Sequence, residues 1–165
     1  MNASKIYLGG FMAACKTTLA RRLAKRLGWE AADIDELIEQ RERSTVSEIF
    51  AKRGEAHFRS IERAVLADQL GVRHLVVATG GGTFVDPQNR AAINQDGVSV
   101  WLDVPLEQTV ARVPVDGRRP LAADRSEFER LFHARRAAYQ LAHIHLDAGR
   151  AGVEALVDEL LDQLR

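Results

Sequence analysis

Several residues in this chain have the type and spacing needed to move a phosphoryl group. The run Gly10-Phe11-Met12-Ala13-Ala14-Cys15-Lys16-Thr17 approaches the phosphate-loop pattern of Gly, four residues, Gly, Lys, Ser/Thr. Such a loop wraps backbone N–H groups around phosphate oxygens at a helix N-terminus. Its Lys reaches the β/γ oxygens and its hydroxyl meets Mg²⁺. Gly10, Lys16 and Thr17 fit; Cys15 stands where the pattern asks for glycine. A β-carbon there crowds the phosphates, and a left-handed backbone costs a non-glycine residue roughly 1–2 kcal/mol. A chance Lys-Thr pair in an ordinary strand–helix turn is the competing reading.

Four further groups carry possible chemistry. Asp33-Ile34-Asp35 offers one carboxylate for a hydrated metal ion and one for a substrate hydroxyl. Taken alone, it reads more simply as Asp35 capping the helix that follows. Thr79-Gly80-Gly81-Gly82 allows close backbone approach and bare N–H donors, or is a plain turn. Arg118-Arg119-Pro120-Leu121 lies in a stretch without periodicity, where an Arg on a lid could meet transferring charge. Arg59, and the pair Arg135 and Tyr139 four apart on a helix, read in isolation as surface groups.

These groups need a scaffold that brings them to one edge. Short apolar runs at Lys5–Leu8, Glu30–Ile34, His74–Ala78, Val98–Leu102 and Ile144–Leu146 predict five strands. Amphipathic stretches at Thr17–Leu27, Glu36–Arg43, Ser47–Lys52, Ala56–Leu70, Pro87 to about Ile93, Ser126–Leu141 and Val153–Leu164 predict helices, with another beginning near Pro105. Alternation of this kind predicts a three-layer α/β/α arrangement around a five-stranded parallel sheet. In such sheets ligands bind at the carboxyl ends of the strands, where Asp33, Asp35 and the three glycines fall. His143 and His145 alternate on the last strand with no third ligand in view, so no metal site is expected there.

Composition excludes other classes. The chain has 165 residues with 23 Lys+Arg against 23 Asp+Glu, so no global field recruits nucleic acid or an anionic membrane. Of the basic residues 19 are Arg, the side chain that grips carboxylate and phosphate with a planar fork. One cysteine forms no internal disulfide. No apolar run approaches the roughly 18 residues of a membrane span, and Met1–Leu8 lacks a signal-peptide layout. A cytoplasmic monomer is the expectation.

Taken in order, Gly10 to Thr18, Asp33-Ile34-Asp35, Gly54-Glu55 with Phe58-Arg59 and Glu62, Thr79 to Gly82, Arg119-Pro120-Leu121, and Leu131 with Arg135 and Tyr139 resemble the shikimate kinase family. The resemblance runs from Lys5 to about Arg150. It implies a nucleoside-monophosphate-kinase-like P-loop fold, with residues 1–165 as a single domain and a lid at about 113–125. It also implies transfer of the γ-phosphoryl of ATP to the 3-hydroxyl of shikimate.

The family's roles map onto this sequence position by position. Ala13, Ala14, Cys15, Lys16, Thr17 and Thr18 would line the ATP phosphates, with Thr17 on Mg²⁺ and Asp33 reaching the ion through water. Asp35 would hold the shikimate hydroxyls and orient or deprotonate the attacking one. Arg59 and Arg135 would clamp the shikimate carboxylate, a task suited to bidentate forks. The backbone of Gly80, Gly81 and Gly82 would line the same pocket. Arg119 would swing in with the lid, and Arg150 would lie near the adenine. The catalytic set is then Lys16, Asp35 and Arg119. The chain departs from the family at Ala13 and Cys15, where Gly is usual, at Ala122 for Leu, and at Ala137 for Pro. Cys15 keeps open a second reading, a protein that binds shikimate or nucleotide with little turnover. A kinase of another hydroxy-acid such as gluconate is the third.

Overall fold

The computed structural model describes residues 3–11, 15–112 and 125–165. Residues 113–124 of the lid expected at about 113–125, with Arg119, and the loop residues Ala13 and Ala14, lie outside the described residues. The strands are β1 (Lys5–Gly9), β2 (Glu30–Asp33), β3 (Leu75–Ala78), β4 (Val98–Asp103) and β5 (Ile144–Asp147). The helices are α1 (Lys16–Leu27), α2 (Ile34–Glu42), α3 (Val46–Arg53), α4 (Glu55–Gln69), α5 (Pro87–Asp96), α6 (Leu106–Arg112), α7 (Arg125–Tyr139) and α8 (Val153–Leu164). A short 3₁₀ turn, Thr83–Val85, joins β3 to α5.

All strand pairs are parallel and the order is β2-β3-β1-β4-β5. The expected five-stranded α/β sheet is therefore present. Its order reverses direction beside β1, so the crevice at the carboxyl end of β1 lies where open α/β sheets bind ligands. Register is set by alternation along each strand. Ile6 and Leu8 face one side with Val76, Ala78, Val100 and Leu102, and α1 and α8 cover them with Leu19, Leu23, Val157 and Leu160. Tyr7, Val77 and Trp101 face the other side, under α2, α4, α5 and α7.

Three local expectations are corrected. Ile34 belongs to α2 rather than to the second strand, because the Asp33 side chain accepts from Glu36 N at 3.1 Å and starts the helix there. The cap of α2 is thus Asp33, not Asp35. His143 precedes β5, where its Nδ1 accepts from Ser99 N at 3.1 Å, so the two histidines do not alternate along one strand. The last stretch of α7 closes at Tyr139, before Leu141.

At the amino-terminal edge of the sheet, Lys5 is fully buried. Its Nζ donates to Gln69 O and Val72 O and pairs with Asp96 at 3.2 Å. Asp96 also accepts from Tyr7 Oη at 2.6 Å and Gly71 N at 3.0 Å, and pairs with Arg73. Burial lowers the Lys5 ammonium from its ordinary value, against the pull of Asp96. Burial would raise Asp96, but its donors outweigh that and hold it at about 2. The cluster is closed on itself.

Candidate active site

The site is assembled from the carboxyl ends of β1, β2 and β3 and the inner faces of α4 and α7. After β1 the chain turns at Gly10, whose φ of 145° suits glycine and where a β-carbon would meet Leu102 O at 2.8 Å. The main chain then re-enters at Cys15, the N-cap of α1. Cys15 is left-handed, with φ 62° and ψ 33°, and makes no side-chain cap hydrogen bond. The strain expected of a non-glycine residue is therefore present, and its thiol is exposed.

Lys16 is buried and its Nζ donates to Gly10 O at 2.8 Å and Phe11 O at 3.1 Å. The ammonium is thereby folded back over the loop, where phosphate oxygens would meet it. The Thr17 hydroxyl donates to one Asp33 oxygen while the other caps α2, so both carboxylate oxygens are oriented by their donors. Thr18 is exposed on the first turn of α1, and Arg150 is exposed after β5; neither touches this cluster among the described contacts.

The second half of the site surrounds the three glycines. Gly80 lies against Asp35: a β-carbon on it would be 2.9 Å from Asp35 Oδ1. Gly82 lies under Arg59, whose guanidinium would be 2.5–2.7 Å from a β-carbon there. Only glycine admits the two side chains this closely. Gly80 N donates to Thr83 Oγ1 at 3.0 Å. Gly80 therefore makes room for Asp35 by its lack of a side chain, and the N–H expected as a bare donor is turned inward to Thr83. Gly81 O accepts from Tyr139 Oη, which pins the turn to α7.

Arg135 and Tyr139 are both buried, 6% and 1% exposed, and not the surface pair their spacing alone suggested. Arg135 is 5.8 Å from the ring of Phe11, which packs edge-on against Phe128 and Phe132 at 5.0 and 5.2 Å. Phe11 thus links the phosphate loop to α7. Burial pulls the Arg135 guanidinium below its ordinary value; Tyr139 opposes this and the neighbouring Arg59 reinforces it. Burial pushes the Tyr139 phenol up to about 12, against Arg135. An arginine keeps its proton in such surroundings. Among the described residues no carboxylate forms an ion pair with Arg135. A buried cation beside a second cation favours an anion from outside.

Arg59 is held from below. Its Nη1 donates to both oxygens of Glu62 at 3.1 Å, and Nη2 meets Glu55 at 3.4 Å. Glu62 is fully buried and also accepts from Thr83 Oγ1 at 2.9 Å. Sequence reading assigned no role to Glu62 or Thr83. The signal for Glu62 was available: with Phe58, Ile61, Val65 and Leu66 it shares the buried face of α4, so an acid interrupts an apolar stripe. Thr83 had no comparable signal. Arg136 was also missed; it pairs with Asp103 at 2.9 Å and covers Trp101 at 4.9 Å, docking α7 on the end of β4.

Could the phosphate-loop half hold a metal ion? The Thr17 hydroxyl and the Asp33 carboxylate form an oxygen-only donor pair, which suits a hard cation that keeps several waters. No group of three or more His, Cys, Asp or Glu among the described residues could hold an ion unaided. The residues therefore fit an ion shared with nucleotide phosphates.

Comparison with known proteins agrees with this geometry. A protein-family model described as shikimate kinase matches residues 12–165. A shikimate kinase of Persephonella marina is 37% identical over 161 residues, 97% of this chain and 98% of that one. The structure of a shikimate kinase from Acinetobacter baumannii in complex with shikimate superposes with a TM-score of 0.94 at 34% identity. That match covers 99% of this chain and 93% of the other. A gluconokinase from Sinorhizobium meliloti, at 14% identity and a TM-score of 0.61 over 98% and 91% of the two chains, shares the fold alone.

Proposed function

The chain belongs to the shikimate kinase family, and on that premise we propose how its residues divide the reaction. The enzyme transfers the γ-phosphoryl of ATP to the 3-hydroxyl of shikimate, giving shikimate 3-phosphate and ADP, a step of aromatic amino-acid biosynthesis. The observation that carries the assignment of roles is Arg135: buried, charged, beside Arg59, and, among the described residues, with no carboxylate in ion-pair contact, Glu55 acting on it only from farther away. It awaits an anionic group, and shikimate supplies a carboxylate.

With that carboxylate on Arg59 and Arg135, the shikimate ring lies over Gly80–Gly82 and a hydroxyl meets Asp35. Asp35 orients that hydroxyl and takes its proton as the phosphoryl group arrives. Lys16 exchanges its loop carbonyls for β/γ-phosphate oxygens and neutralises their charge. Thr17, with Asp33 behind it through water, would hold the divalent metal that accompanies ATP; we assign this as Mg²⁺, which spreads the phosphate charge when bound. Ala13, Ala14, Cys15 and Thr18 line the phosphates, Arg119 approaches the transferring group, and Arg150 borders the adenine. The rate comes chiefly from placement and charge stabilisation, since phosphoryl transfer leaves little covalent work to the protein.

The same proposal takes residues 1–165 as one domain with its lid at about 113–125, acting as a cytoplasmic monomer without nucleic-acid or membrane partners. The zero net charge supports the last point, and no helix among the described residues is long and apolar enough to cross a membrane. Neither alternative, a weak binding protein or a gluconate kinase, is favoured.

A coupled ADP-release assay with Mg-ATP tests the reading. Turnover should depend on shikimate and be far slower with gluconate and other sugar acids. ADP release no faster with shikimate than without it would sink the assignment.

A further inference from the structure

We propose that Thr83 is a positioning residue for recognition of the substrate carboxylate, acting through Glu62 on Arg59. The inference rests on the reading above, in which Arg59 takes that carboxylate, and extends it to a residue remote from any substrate atom.

Thr83 is fully buried at the start of the 3₁₀ turn that follows the glycines. Its hydroxyl has one proton, and the surroundings dictate where it goes. Gly80 N–H donates to Oγ1 at 3.0 Å, so the hydroxyl acts there as acceptor. Glu62, paired through both oxygens with the Arg59 guanidinium, accepts, so Oγ1–H is directed to its Oε2 at 2.9 Å. Thr83 N also donates to Gly80 O at 3.2 Å, closing a small ring between the two residues. The turn that carries Gly80 and Gly82 is thus tied through one hydroxyl to the acid that grips Arg59.

The consequence is geometric. Glu62 binds Arg59 Nη1 through both oxygens, and the Arg59 fork lies flat on Gly82. A carboxylate held only by Arg59 could rotate with it; a third hydrogen bond, from a second donor at Oε2, fixes its plane and so fixes the fork. Both ends of the Arg59 contact, Glu62 below and Gly82 beside it, are then referred to the same Thr83 oxygen. Were Thr83 merely filling space, valine would serve equally well, since it has nearly the same shape.

Steady-state kinetics of Thr83→Val, Thr83→Ser and Glu62→Gln, each with shikimate and with its methyl ester, provides the test. Thr83→Val removes a hydrogen bond to a charged group, so kcat/KM for shikimate should fall about tenfold. The methyl ester, which presents no charge to Arg59, should lose about twofold or less, and KM for ATP should hold. Thr83→Ser restores the hydroxyl and should return the acid-over-ester preference to within about threefold of the wild type. Glu62→Gln should show the same selective loss as Thr83→Val, and together with Thr83→Ser decides the matter if the valine variant does not fold. Equal losses for acid and ester, a parallel rise in KM for ATP, or an unchanged preference in Glu62→Gln would overturn the proposal. Wild-type enzyme indifferent to shikimate would instead overturn the functional reading, and that control is run first.

Discussion

Two buried cations define opposite edges of the sheet, and their surroundings differ. Lys5, at the amino-terminal edge, has two carbonyls and the Asp96 carboxylate, with Tyr7, Gly71 and Arg73 completing the shell around that acid. Arg135, at the carboxyl edge, has a phenylalanine ring, a tyrosine hydroxyl and another arginine, with the Glu55 carboxylate beyond ion-pair distance. Among the described residues the first charge has a carboxylate in ion-pair contact, whereas the second has none and meets Glu55 only from beyond that distance. A buried charge with its counter-ion is part of the scaffold; one without it marks a place where something charged must bind. The sheet faces repeat the division. The face under α1 and α8 is aliphatic throughout its buried cluster, whereas the face carrying the site holds Tyr7, Phe11, Phe58, Trp101, Phe132 and Tyr139.

Two substitutions to methionine separate these roles. Lys5→Met leaves Asp96 short of a partner and two carbonyls without a donor, and breaking a buried pair costs about 3 kcal/mol or more. Denaturant unfolding should register that loss, while KM for shikimate and for ATP stay near wild type. Arg135→Met replaces an unanswered charge with an apolar chain of similar length, so stability should be unchanged or higher. KM for shikimate should instead rise about 10²-fold, the loss of charge-assisted hydrogen bonds to the substrate. If Arg135→Met unfolded the protein and Lys5→Met impaired turnover, the contrast between the edges would be wrong.

Much of this was legible in the residues, for identifiable reasons. The strands were read well because β1, β3 and β4 are buried on both faces and so run mainly apolar, with Lys5 and Ser99 as the buried polar exceptions. The proposed phosphate loop could be read locally because its chemistry needs neighbours in sequence: Lys16 and Thr17 stand at adjacent positions. The acid half was not, because its contacts are long-range. Thr83 meets Glu62, and Tyr139 meets Gly81, across separate elements, and no local pattern announces either. Taken singly, Arg135 read as a surface group because helical spacing gives neighbours on its own helix, not the Phe11 ring that covers it. The cap of α2 was assigned to Asp35 rather than Asp33, since the capping bond depends on where β2 stops.

The closed cluster also predicts an acid response. Asp96 is held at about 2, below its ordinary value near 3.8. A depressed folded value means that its contribution is complete above the ordinary value and is lost as pH falls from about 4 towards 2. Between pH 5 and pH 2, stability should therefore drop less steeply in Asp96→Asn than in wild type, measured by urea midpoints. Identical slopes would show that Asp96 titrates alike in the folded and unfolded chains, and that its donors contribute nothing. Arg135 offers no such titration, because arginine keeps its charge throughout.

The smallest effect concerns a place where the scaffold strains the phosphate half of the site. Cys15 holds φ 62° at the N-cap of α1, a conformation that costs a non-glycine residue roughly 1–2 kcal/mol. Cys15→Gly removes that strain but adds freedom to the unfolded chain worth about 0.4–1 kcal/mol. The difference leaves a net gain of roughly 1 kcal/mol, and thermal unfolding should shift upward by about 2–4 °C. Glycine also clears the β-carbon from the phosphate loop, so KM for ATP should fall while KM for shikimate, which the proposed roles assign to Arg59 and Arg135, stays put. A higher melting temperature with an unchanged KM for ATP would place the Cys15 side chain clear of the phosphates and confine its cost to the backbone. No change in either would mean that the left-handed turn is tolerated at this position without strain, and the distinction between a strained phosphate loop and a relaxed acid pocket would fall.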